Sequence, residues 1–403
     1  MQLCFFEDDH CQNFEPLTLT RPTDDLRMGM LTIAEKWAHA LNADNWCRIL
    51  RPELKSVFKS GTIDDTQPCI WINSRYLPTD NLLEKINDLS PGQCLQYGDV
   101  TVAAKVEGGH SQQWLNQGAP NFNKLFVLET AGFLSIRRLW DLFQLNGQEI
   151  KRDIALLPNP DNADAQISKH AILETQENIY IHEGATVEAG CVLNANKGPI
   201  YIGKNATVMS GSHLRGPVAI CDNSVVKMGA KIYADTTIGP TCKVGGEINN
   251  SIFHSYSNKG HDGFMGNSLI GQWCNFGADS NTSNLKNNYS TIRLTNWADR
   301  QQIETGQQFI GTVMADHSKT AINTQLNTGT VCGVSCNIFS NDFPPKLIPS
   351  FSWVGSNVIQ TYRLDKAFEA MEAMMVRRNV ELTEEYKEMM RTIFDSRMSN
   401  NPG

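Results

Sequence analysis

One histidine stands in a long polar stretch, residues 257–289, which reads SNKGHDGFMGNSLIGQWCNFGADSNTSNLKNNY. Glycines flank His261 closely, and a histidine side chain can take up and release a proton near neutral pH. The stretch is too polar for a core strand, so it predicts a coil whose turns present side chains to a ligand. A ligand-free Asn- and Gly-rich turn in an all-β stack is the alternative. The asparagines that could contact such a ligand are Asn267, Asn275, Asn281, Asn284, Asn287 and Asn288.

Apolar residues recur six positions apart before this stretch, with small and polar residues such as IGKNAT and IGPTCK between them. A six-residue period fits neither an amphipathic helix nor an alternating hairpin. It predicts a parallel β-helix in which each coil buries one apolar residue per face, against the alternative of a β-sandwich. The positions in phase are Ile181, Val187, Leu193, Ile202, Val208, Leu214, Ile220, Val226, Ile232, Ile238 and Val244.

The six-residue period lapses at residues 247–272 and again at 289–307, where we expect insertions that project as loops. It resumes at Phe309-Ile310-Gly311, continues through Ile322 and Val334, and ends near residues 353–355. Residues 365–397 contain no Gly or Pro and are rich in Glu, Ala, Met, Lys and Arg, which predicts one or two helices. Their apolar stripe of Phe368, Met371, Met374 and Met375 is expected to pack against the β-helix or another subunit.

Residues 1–160 alternate between strand-like and helix-like patterns, which is typical of an α/β domain. Pro158 and Pro160, within LPNPDNADA, predict a domain boundary. The predicted strands are 3–6, 69–72 and 100–106, and the predicted helices are 31–41, 83–89 and 136–145, the last with Trp140 and Phe143 on its inner face.

The composition is that of an ordinary globular protein, with 41% hydrophobic and 19% charged residues in 403. A formal net charge of −8 without a basic cluster argues against nucleic-acid binding. No membrane span or signal peptide is predicted, so we expect a cytoplasmic protein. Eleven cysteines without CxxC spacing indicate reduced, mostly buried thiols rather than disulfides or zinc ligands.

The six-residue ladder and the motif KGHDGFMGN together resemble the left-handed β-helix acyltransferases. The chain is most similar to the bifunctional N-acetylglucosamine-1-phosphate uridyltransferase/glucosamine-1-phosphate acetyltransferase family. In the order of its parts it resembles the Bacteroidetes-type variant of that family. The resemblance implies a nucleotidyltransferase-like α/β domain at 1–160, a left-handed β-helix at 165–355, a helical segment at 356–403, and a homotrimer.

The same resemblance implies an acetyl-transfer site in the β-helix. His261 falls where the family has its general base, which takes a proton from the sugar amine as it attacks the thioester. Asn275 would also help to stabilise the oxyanion. The implied sugar-phosphate positions are Lys231, Asn275 and Asn284, and the implied acetyl-CoA positions are Ala278, Thr312 and Thr330.

Several positions depart from the family pattern. A family lysine corresponds to Asn249, and two tyrosines correspond to Phe264 and Leu285. Lys259 or Lys286 could supply the missing positive charge, or each could simply be solvated. The polar residues 316–319, DHSK, are expected to form a turn, with contact between Lys319 and a CoA phosphate as the alternative.

The N-terminal half resembles sugar-nucleotide transferases through PLTLTRP at residues 16–22. Those enzymes have a glycine-rich phosphate loop before this motif, whereas FEDDHCQNFE stands here and the first glycine is Gly29. The family's Mg²⁺-binding Asn-Gly-Asp corresponds to Asn73-Ser74-Arg75, which puts a cation in place of a metal ligand. Arg21 and Arg27 remain candidates for phosphate binding.

These resemblances imply acetyl transfer from acetyl-CoA to glucosamine 1-phosphate or a related sugar phosphate. The alternative is a sugar-1-phosphate nucleotidyltransferase that uses UTP or dTTP with Mg²⁺ and keeps the β-helix as a second site or trimerisation scaffold. A non-catalytic sugar-nucleotide-binding scaffold is a third possibility. No resident metal and no nucleic-acid or membrane partner is predicted for the acetyl-transfer site.

Overall fold

The structure, a computed structural model, describes residues 1–158, 160, 164–356 and 358–399. Part of the predicted boundary in LPNPDNADA and the last residues of the C-terminal segment lie outside this description. Contacts divide the chain into two units. The first comprises Met1–Phe14, Arg21–Leu26 and Leu31–Arg138, and the second comprises Glu15–Thr20, Arg27–Met30 and Leu139–Gly403.

The first unit contains a six-stranded mixed sheet in the order β2-β1-β3-β5-β4-β6. β1 pairs in parallel with β2 and β3, while β5 runs antiparallel to β3 and β4. The three strands predicted from the sequence are confirmed. The strands are β1 Gln2–Phe6, β2 Trp46–Arg48, β3 Cys69–Asn73, β4 Gln93–Tyr97, β5 Val100–Val106 and β6 Phe126–Glu129.

Three α-helices connect these strands: α1 Ile33–Leu41, α2 Asp80–Asn87 and α3 Gly108–Gln117. α1 begins at a capping box in which the Thr32 hydroxyl accepts from the Glu35 amide and the Glu35 carboxylate accepts from the Thr32 amide. The two helices predicted near α1 and α2 are therefore confirmed. Short 3₁₀ turns lie at Asp9–Phe14, Leu17–Leu19, Thr23–Asp25, Pro52–Leu54 and Phe122–Lys124.

Helix α4, Leu139–Leu156, begins later and runs longer than the predicted helix at 136–145. Trp140 and Phe143 are buried, as predicted. Asn146 of α4 accepts a hydrogen bond from the Gly29 amide and donates to the Asp235 carbonyl, which explains why contacts group this helix with the second unit.

The second unit is a parallel β-helix with three faces, which confirms the predicted fold. Face 1 has strands Gln166–Ile167, Thr186–Val187, Thr207–Val208, Val225–Val226, Lys243–Val244, Asn258–Lys259, Lys319–Thr320, Asn337–Ile338 and Ser352–Val354, with Ile359–Thr361 added antiparallel. Face 2 has Ile172–Glu174, Val192–Asn194, His213–Arg215, Lys231–Ile232, Glu247–Asn249 and Phe264–Gly266, and Asn281–Thr282 pairs further on with Gln325–Leu326. Face 3 has Ile179–Ile181, Ile200–Ile202, Val218–Ile220, Thr236–Ile238, Ile252–Ser255, Leu269–Gln272, Thr312–Met314, Thr330–Cys332 and Leu347–Ile348.

The core of the β-helix consists of the apolar residues that recur in the sequence. All eleven positions in phase between Ile181 and Val244 are buried and belong to one hydrophobic cluster. Burial of these side chains at about 25 cal/mol per Å² of apolar surface is the main force that stacks the coils. The prediction of one buried residue per face is confirmed. A 3₁₀ turn at Gln176–Asn178 lies beside the first coils.

The prediction of a projecting insertion at 247–272 is wrong. Strands at Glu247–Asn249, Ile252–Ser255, Phe264–Gly266 and Leu269–Gln272 continue faces 2 and 3 in register. Val225 pairs with Lys243, but Lys243 pairs with Asn258, so this coil is three residues shorter than the one before it. Shortened corners, including Gly246 at φ +72°, break the six-residue period while the ladder persists. The second predicted insertion does leave the ladder, as an antiparallel hairpin of Arg293–Thr295 and Gln302–Glu304.

Two helices end the described chain, α5 Leu364–Val376 and α6 Glu384–Ser399, as predicted. Met371 and Met375 of the apolar stripe are buried, as the predicted packing role requires, whereas Phe368 and Met374 are only half-buried and Met374 lines a cavity. No helix of the described residues is long and apolar enough to cross a membrane. All eleven cysteines are buried and free of disulfides, as predicted.

Candidate functional site

His261 lies at the corner between faces 1 and 2. It follows the face 1 strand Asn258–Lys259 and precedes the face 2 strand Phe264–Gly266. Gly263 adopts φ +112°, and a Cβ there would lie 2.2 Å from the Ser280 carbonyl oxygen, so only glycine fits this turn. The His261 side chain is exposed and forms no hydrogen bond with any described residue. Its imidazole is therefore accessible to a ligand.

Lys259 holds the loop that carries His261. Its side chain is 1% exposed, and its Nζ donates to the carbonyl oxygens of His261 at 2.9 Å, Gly245 at 3.2 Å and Asp262 at 3.3 Å. Burial lowers the pKa of Lys259 to about 8, although Asp262 and Asp279 favour the charged form. Lys259 therefore points into the loop. A lysine that bound a sugar phosphate would present its ammonium group at the surface, whereas the Lys259 ammonium is buried.

A cavity of about 920 Å³ lies beside His261, between face 1 and helix α5. Its β-helix wall carries Asn258, His261, Asn275 and the segment Phe276-Gly277-Ala278, and its helical wall carries Ala370, Ala373 and Met374. The structure thus brings together three of the predicted site residues: His261, Asn275 and Ala278. Asn275 bridges the strands at Asn258 and Lys319 through its backbone, while its side-chain amide forms no hydrogen bond to a described residue.

Five basic side chains line this cavity: Lys227, Lys243, Lys319, Arg377 and Arg378. No aspartate or glutamate is among the described residues that line it. The charge of Arg378, then burial, then Lys227 and Arg377 lower the pKa of Lys243. Burial also lowers the pKa of Lys319. The cations thus repel one another, and a polyanion in the cavity would relieve that repulsion.

Arg378 is positioned directly over the β-helix wall. Its Nη2 donates to the Asn258 side-chain oxygen at 2.9 Å. The Lys319 Nζ donates to the His317 carbonyl at 3.0 Å and remains part of the cavity lining. Of the DHSK segment, Asp316 and His317 are buried, and the Asp316 carboxylate accepts from the Thr20 hydroxyl and the Gln272 amide.

Thr312 and Thr330, the other two positions implied for acetyl-CoA, do not line this cavity. They pair with each other on face 3 and are fully buried. Thr312 lies two residues before Met314, and Thr330 two residues before Cys332, so each threonine shares the inward face of its strand with a core residue. The Thr330 hydroxyl donates to the Asn327 carbonyl at 2.8 Å.

Of the residues implied for sugar binding, Asn275 lies on face 1, whereas Lys231, Asn249 and Phe264 lie on face 2. Lys231 pairs with Glu247, and Glu247 pairs with Phe264, so these three residues form one column. Asn249 pairs with Gly266 in the neighbouring column. The Asn284 amide donates to the Asn267 side chain at 2.7 Å, next to Gly266.

Lys286, the other lysine considered for the missing charge, is engaged locally. Its Nζ donates to the Thr291 carbonyl at 2.7 Å. Leu285 forms an isolated bridge with Phe309.

The two N-terminal arginines are occupied within their own units. Arg21 is 2% exposed and pairs with Asp25 at 3.1 Å in the first unit. Arg27 belongs to the second unit, where its Nε donates to the His254 carbonyl at 3.0 Å and its Nη1 donates to the Met30 carbonyl. Phosphate binding by either residue would require these contacts to change.

Asn73 and Arg75 meet Asp8 at the carboxyl ends of β1 and β3. Arg75 holds both Asp8 carboxylate oxygens, at 2.8 Å from Nε and 2.5 Å from Nη2, and Asn73 donates to Asp8 at 2.8 Å. Burial would raise the pKa of Asp8, but the hydrogen bonds from Arg75 and Asn73 outweigh it and lower that pKa. Ligands of open α/β sheets bind at the carboxyl ends of the strands, near the point where the strand order reverses.

The residues at this edge do not fit Mg²⁺. The metal prefers two or more oxygen ligands with its own waters, whereas Arg75 already neutralises the Asp8 carboxylate. Among the described residues, no group of three or more His, Cys, Asp or Glu side chains could hold a metal ion.

The ion pair of Asp8 and Arg75 predicts a stability effect. Arg75→Gln should destabilise the first unit by roughly 3–5 kcal/mol, because it leaves a half-buried carboxylate without its cation. Since the pKa of Asp8 is lowered in the folded state, its contribution is present above the ordinary carboxyl pKa and is lost as the pH falls below about 4. Urea unfolding at pH 7 and pH 3 measures this. The double variant Asp8→Asn/Arg75→Gln should lose less than Arg75→Gln alone, and an equal or larger loss would contradict the pairing.

The sequence did not point to Lys227, Lys243, Arg377 and Arg378 as cavity residues. Lys227 follows the face 1 strand Val225–Val226, and Lys243 begins the face 1 strand Lys243–Val244. Only the pairing of the strands shows that the two lysines lie on the same face. The two arginines come shortly after Met374 and Met375 of the apolar stripe. A basic pair at the end of an apolar helix was the sequence signal that could have indicated them.

Comparisons with known proteins agree with this two-part architecture. Residues 3–160 match the family described as Sugar nucleotidyl transferase. The chain is 27% identical over 234 residues to the Bifunctional protein GlmU of Methanococcus vannielii, a match that covers 58% of this chain and 49% of that protein. The chain thus spans about half the length of this curated relative.

A solved structure, the UDP-N-acetylglucosamine acyltransferase from Campylobacter jejuni, aligns with 58% of this chain and 95% of its own. The TM-score of this alignment is 0.27 and the sequence identity is 14%.

The chain thus combines an N-terminal domain that matches a sugar nucleotidyl transferase family with a parallel β-helix. The match of residues 3–160 and the likeness to the archaeal protein agree with the resemblance found in the sequence.

Proposed function

We propose that the chain is a cytoplasmic enzyme that transfers an acetyl group from acetyl-CoA to glucosamine 1-phosphate or a close relative. The domains would be 1–160, 165–355 and 356–403, with the transfer site in the β-helix. The observation that carries this proposal is the position of His261, a free imidazole on the edge of a large cavity with five cations and no acidic residue in its described lining.

The cavity suits the phosphate-rich part of CoA. Lysine and arginine side chains bind phosphate oxygens through charge-assisted hydrogen bonds, and five of them surround the cavity. The apolar wall of Ala370, Ala373 and Met374 offers a surface to the uncharged arm of the donor. Asn275 and Ala278 would lie nearest to His261 on the β-helix side.

His261 would act as the general base. The amine nitrogen of the sugar attacks the thioester carbonyl, and the imidazole takes the proton that the nitrogen loses. The Asn275 side-chain amide, which has no described partner, can donate to the oxygen on which negative charge develops. The C–S bond then breaks, and the imidazolium returns its proton to the departing sulfur.

Thiol release tests this proposal. The protein with acetyl-CoA and glucosamine 1-phosphate should release CoA thiol, while glucose 1-phosphate, which lacks the amine, should give none. Equal release with both sugars, or release with neither, would refute acetyl transfer to an amino sugar.

Arg378 gives a prediction about the donor. Arg378→Gln should raise the KM for acetyl-CoA roughly tenfold or more, because a charge-assisted hydrogen bond to phosphate is lost. The kcat should change little, since Arg378 is assigned to binding. Arg363→Gln, just before α5 and 72% exposed, is the matched control and should leave KM unchanged. If the KM for acetyl-CoA of Arg378→Gln equals that of the control, the cavity is not the donor site.

Sugar-1-phosphate nucleotidyl transfer is the second candidate, because residues 3–160 match a nucleotidyltransferase family. The contact between Asp8 and Arg75 speaks against the Mg²⁺-dependent form of this reaction. Pyrophosphate release from UTP or dTTP with N-acetylglucosamine 1-phosphate and Mg²⁺ discriminates, because acetyl transfer produces none.

We also propose a homotrimer. If the transfer site includes residues of two subunits, specific activity should fall on dilution as the oligomer dissociates. Constant specific activity in protein shown to be monomeric would exclude this arrangement.

A further inference from the structure

The topology of the sheet in the first unit identifies its ligand crevice. β2 lies on one side of β1, and β3 with all the later strands lies on the other side. Open α/β sheets bind ligands outside the carboxyl ends of their strands, at the point where the strand order reverses. Here that point lies between β1 and β3. Asp8 comes just after β1, Asn73 ends β3 and Arg75 follows it, so these three residues stand at the crevice.

The Asp8 carboxylate occupies this crevice as a bound anion would. Arg75 donates to both carboxylate oxygens, from Nε at 2.8 Å and from Nη2 at 2.5 Å. The Asn73 side-chain amide donates to the carboxylate at 2.8 Å. A guanidinium group holds two oxygens of a phosphate group in the same two-pronged way. The carboxylate therefore takes up the donors that a phosphate in this crevice would need.

The donors that hold Asp8 are also fixed by contacts of their own. Arg75 Nη1 donates to the Ile136 carbonyl at 3.2 Å. Asn73 donates to the Thr101 carbonyl at 3.1 Å, and its side-chain oxygen accepts from the Arg75 backbone amide at 3.2 Å. Arg75 is 4% exposed and Asn73 is fully buried. Because these contacts do not involve Asp8, we expect both donors to keep their places without it.

The neighbouring carboxyl end of β2 is closed in the same way. Arg51 Nε lies 3.0 Å from the Glu7 carboxylate, and Arg48 Nη2 lies 2.5 Å from the Asp24 carboxylate. The backbone amide and hydroxyl of Thr23 also donate to Glu7, at 2.7 and 2.8 Å. Arginines at the carboxyl ends of β2 and β3 are therefore matched by acids of the chain itself.

We propose that Asp8 closes a latent phosphate site, in which Arg75 and Asn73 would hold a phosphate group if the carboxylate were removed. Asp8 is linked to these donors through the folded chain, so its effective concentration beside them is about millimolar or higher. A phosphate from solution must compete with this tethered anion. The Asp8 side chain is 20% exposed, so its removal would leave the donors open to solvent. The inference concerns the first unit alone and does not depend on acetyl transfer.

Binding of inorganic pyrophosphate to the full-length protein tests the latent site. Calorimetry without Mg²⁺ compares the wild type, Asp8→Ala and the double variant Asp8→Ala/Arg75→Gln. We expect Asp8→Ala to gain a binding event that is roughly tenfold to a hundredfold tighter than any at this site in the wild type, the range for a hydrogen bond to a charged group. The double variant should lose this gain. The cavity beside His261 is the same in all three proteins, so pyrophosphate bound there cancels in the comparison.

Two further variants complete the experiment. Asp9→Ala removes an exposed acid next to Asp8 and should bind pyrophosphate as the wild type does. Asp8→Asn keeps the size of the side chain and removes only its charge, so it provides the test if Asp8→Ala does not fold. Its gain in binding should be smaller than that of Asp8→Ala, because a neutral amide still competes for Arg75, although less well than a carboxylate.

A parallel titration with UTP distinguishes the source of the phosphate. Tighter binding of UTP than of pyrophosphate to an Asp8 variant indicates a crevice that also accepts a nucleoside, and equal binding indicates a site for phosphate groups alone. Either result supports the latent site. The proposal is overturned if neither Asp8 variant binds these ligands better than the wild type, or if the gain persists without Arg75. Wild-type binding that disappears in Arg75→Gln would also overturn it, because the site would then be open with Asp8 in place.

Discussion

Replacing His261 by alanine should lower the kcat of thiol release from acetyl-CoA by roughly 10²- to 10⁴-fold, the range for loss of a general base. The amino sugar must lose a proton as its nitrogen joins the acetyl carbon, and the exposed His261 imidazole is placed to accept it. The KM for acetyl-CoA should change little, because the five cations of the cavity stay in place. Steady-state thiol release at saturating donor measures both constants.

His170→Ala is the matched control for this experiment. His170 is an exposed histidine of the same β-helix, in its first coil and outside the cavity beside His261. It should retain wild-type kcat. His261→Gln keeps a polar side chain but accepts no proton at neutral pH, so it should be as impaired as His261→Ala. A kcat within a few-fold of wild type for both His261 variants would remove the imidazole from the chemistry.

The repeating core of the β-helix could be predicted because it depends on local periodicity. A coil of three short strands places every sixth residue inside, and Val187, Val208 and Val226 all occupy such positions. The prediction failed where corners shorten, at residues 247–272, because a lost residue at a corner shifts the period without breaking the hydrogen-bonded ladder.

The site itself was only partly predictable. His261, Asn275 and Ala278 share one coil region, and the family resemblance over that stretch pointed to all three. Arg377 and Arg378 lie just after helix α5, more than a hundred residues from Lys243, and no local pattern in the sequence connects them with it. Thr312 and Thr330 follow the family positions but turn into the core, because their strand parity places them with Met314 and Cys332.

The corner at His261 joins two surfaces of different character. The cavity on face 1 has five cations and an apolar helical wall, which suits a large polyanionic donor. Face 2 carries smaller polar residues such as Asn249 and Asn284, which suit a sugar. A base on the corner can contact ligands on both faces, so under the proposed function donor and acceptor would meet at the β-helix corner.

Removing the Lys259 ammonium should lower kcat by roughly tenfold to a hundredfold without removing any group that reacts. Lys259→Met keeps most of the buried stem but loses the three hydrogen bonds to the carbonyls of Gly245, His261 and Asp262. A displacement of about 1 Å in a catalytic group can cost about 10² in rate. Steady-state kcat, compared with Lys197→Met as an exposed control, measures this effect.

The pH dependence separates a positioning role from general destabilisation. Burial lowers the pKa of Lys259 to about 8, below its value of about 10.4 in an unfolded chain. As the pH rises, the folded protein therefore releases this proton before the unfolded chain does. Burial of the charged amine lowers the free energy of unfolding fully below about pH 8, and this destabilisation is relieved as the pH rises toward about 10.4.

Activity should respond to pH in the opposite direction. Above about pH 8 Lys259 loses a proton, and its neutral amine can then donate only two hydrogen bonds to the three carbonyls. The loop that carries His261 should therefore be held less firmly. The ratio of wild-type to Lys259→Met kcat should therefore fall as the pH rises from 7 to 9.5, with the same substrates in both assays. If Lys259 were merely structural, the ratio of wild-type to Lys259→Met kcat would stay constant while the wild-type protein became more stable over the same pH interval. A constant ratio would therefore exclude Lys259 as the residue that positions the base.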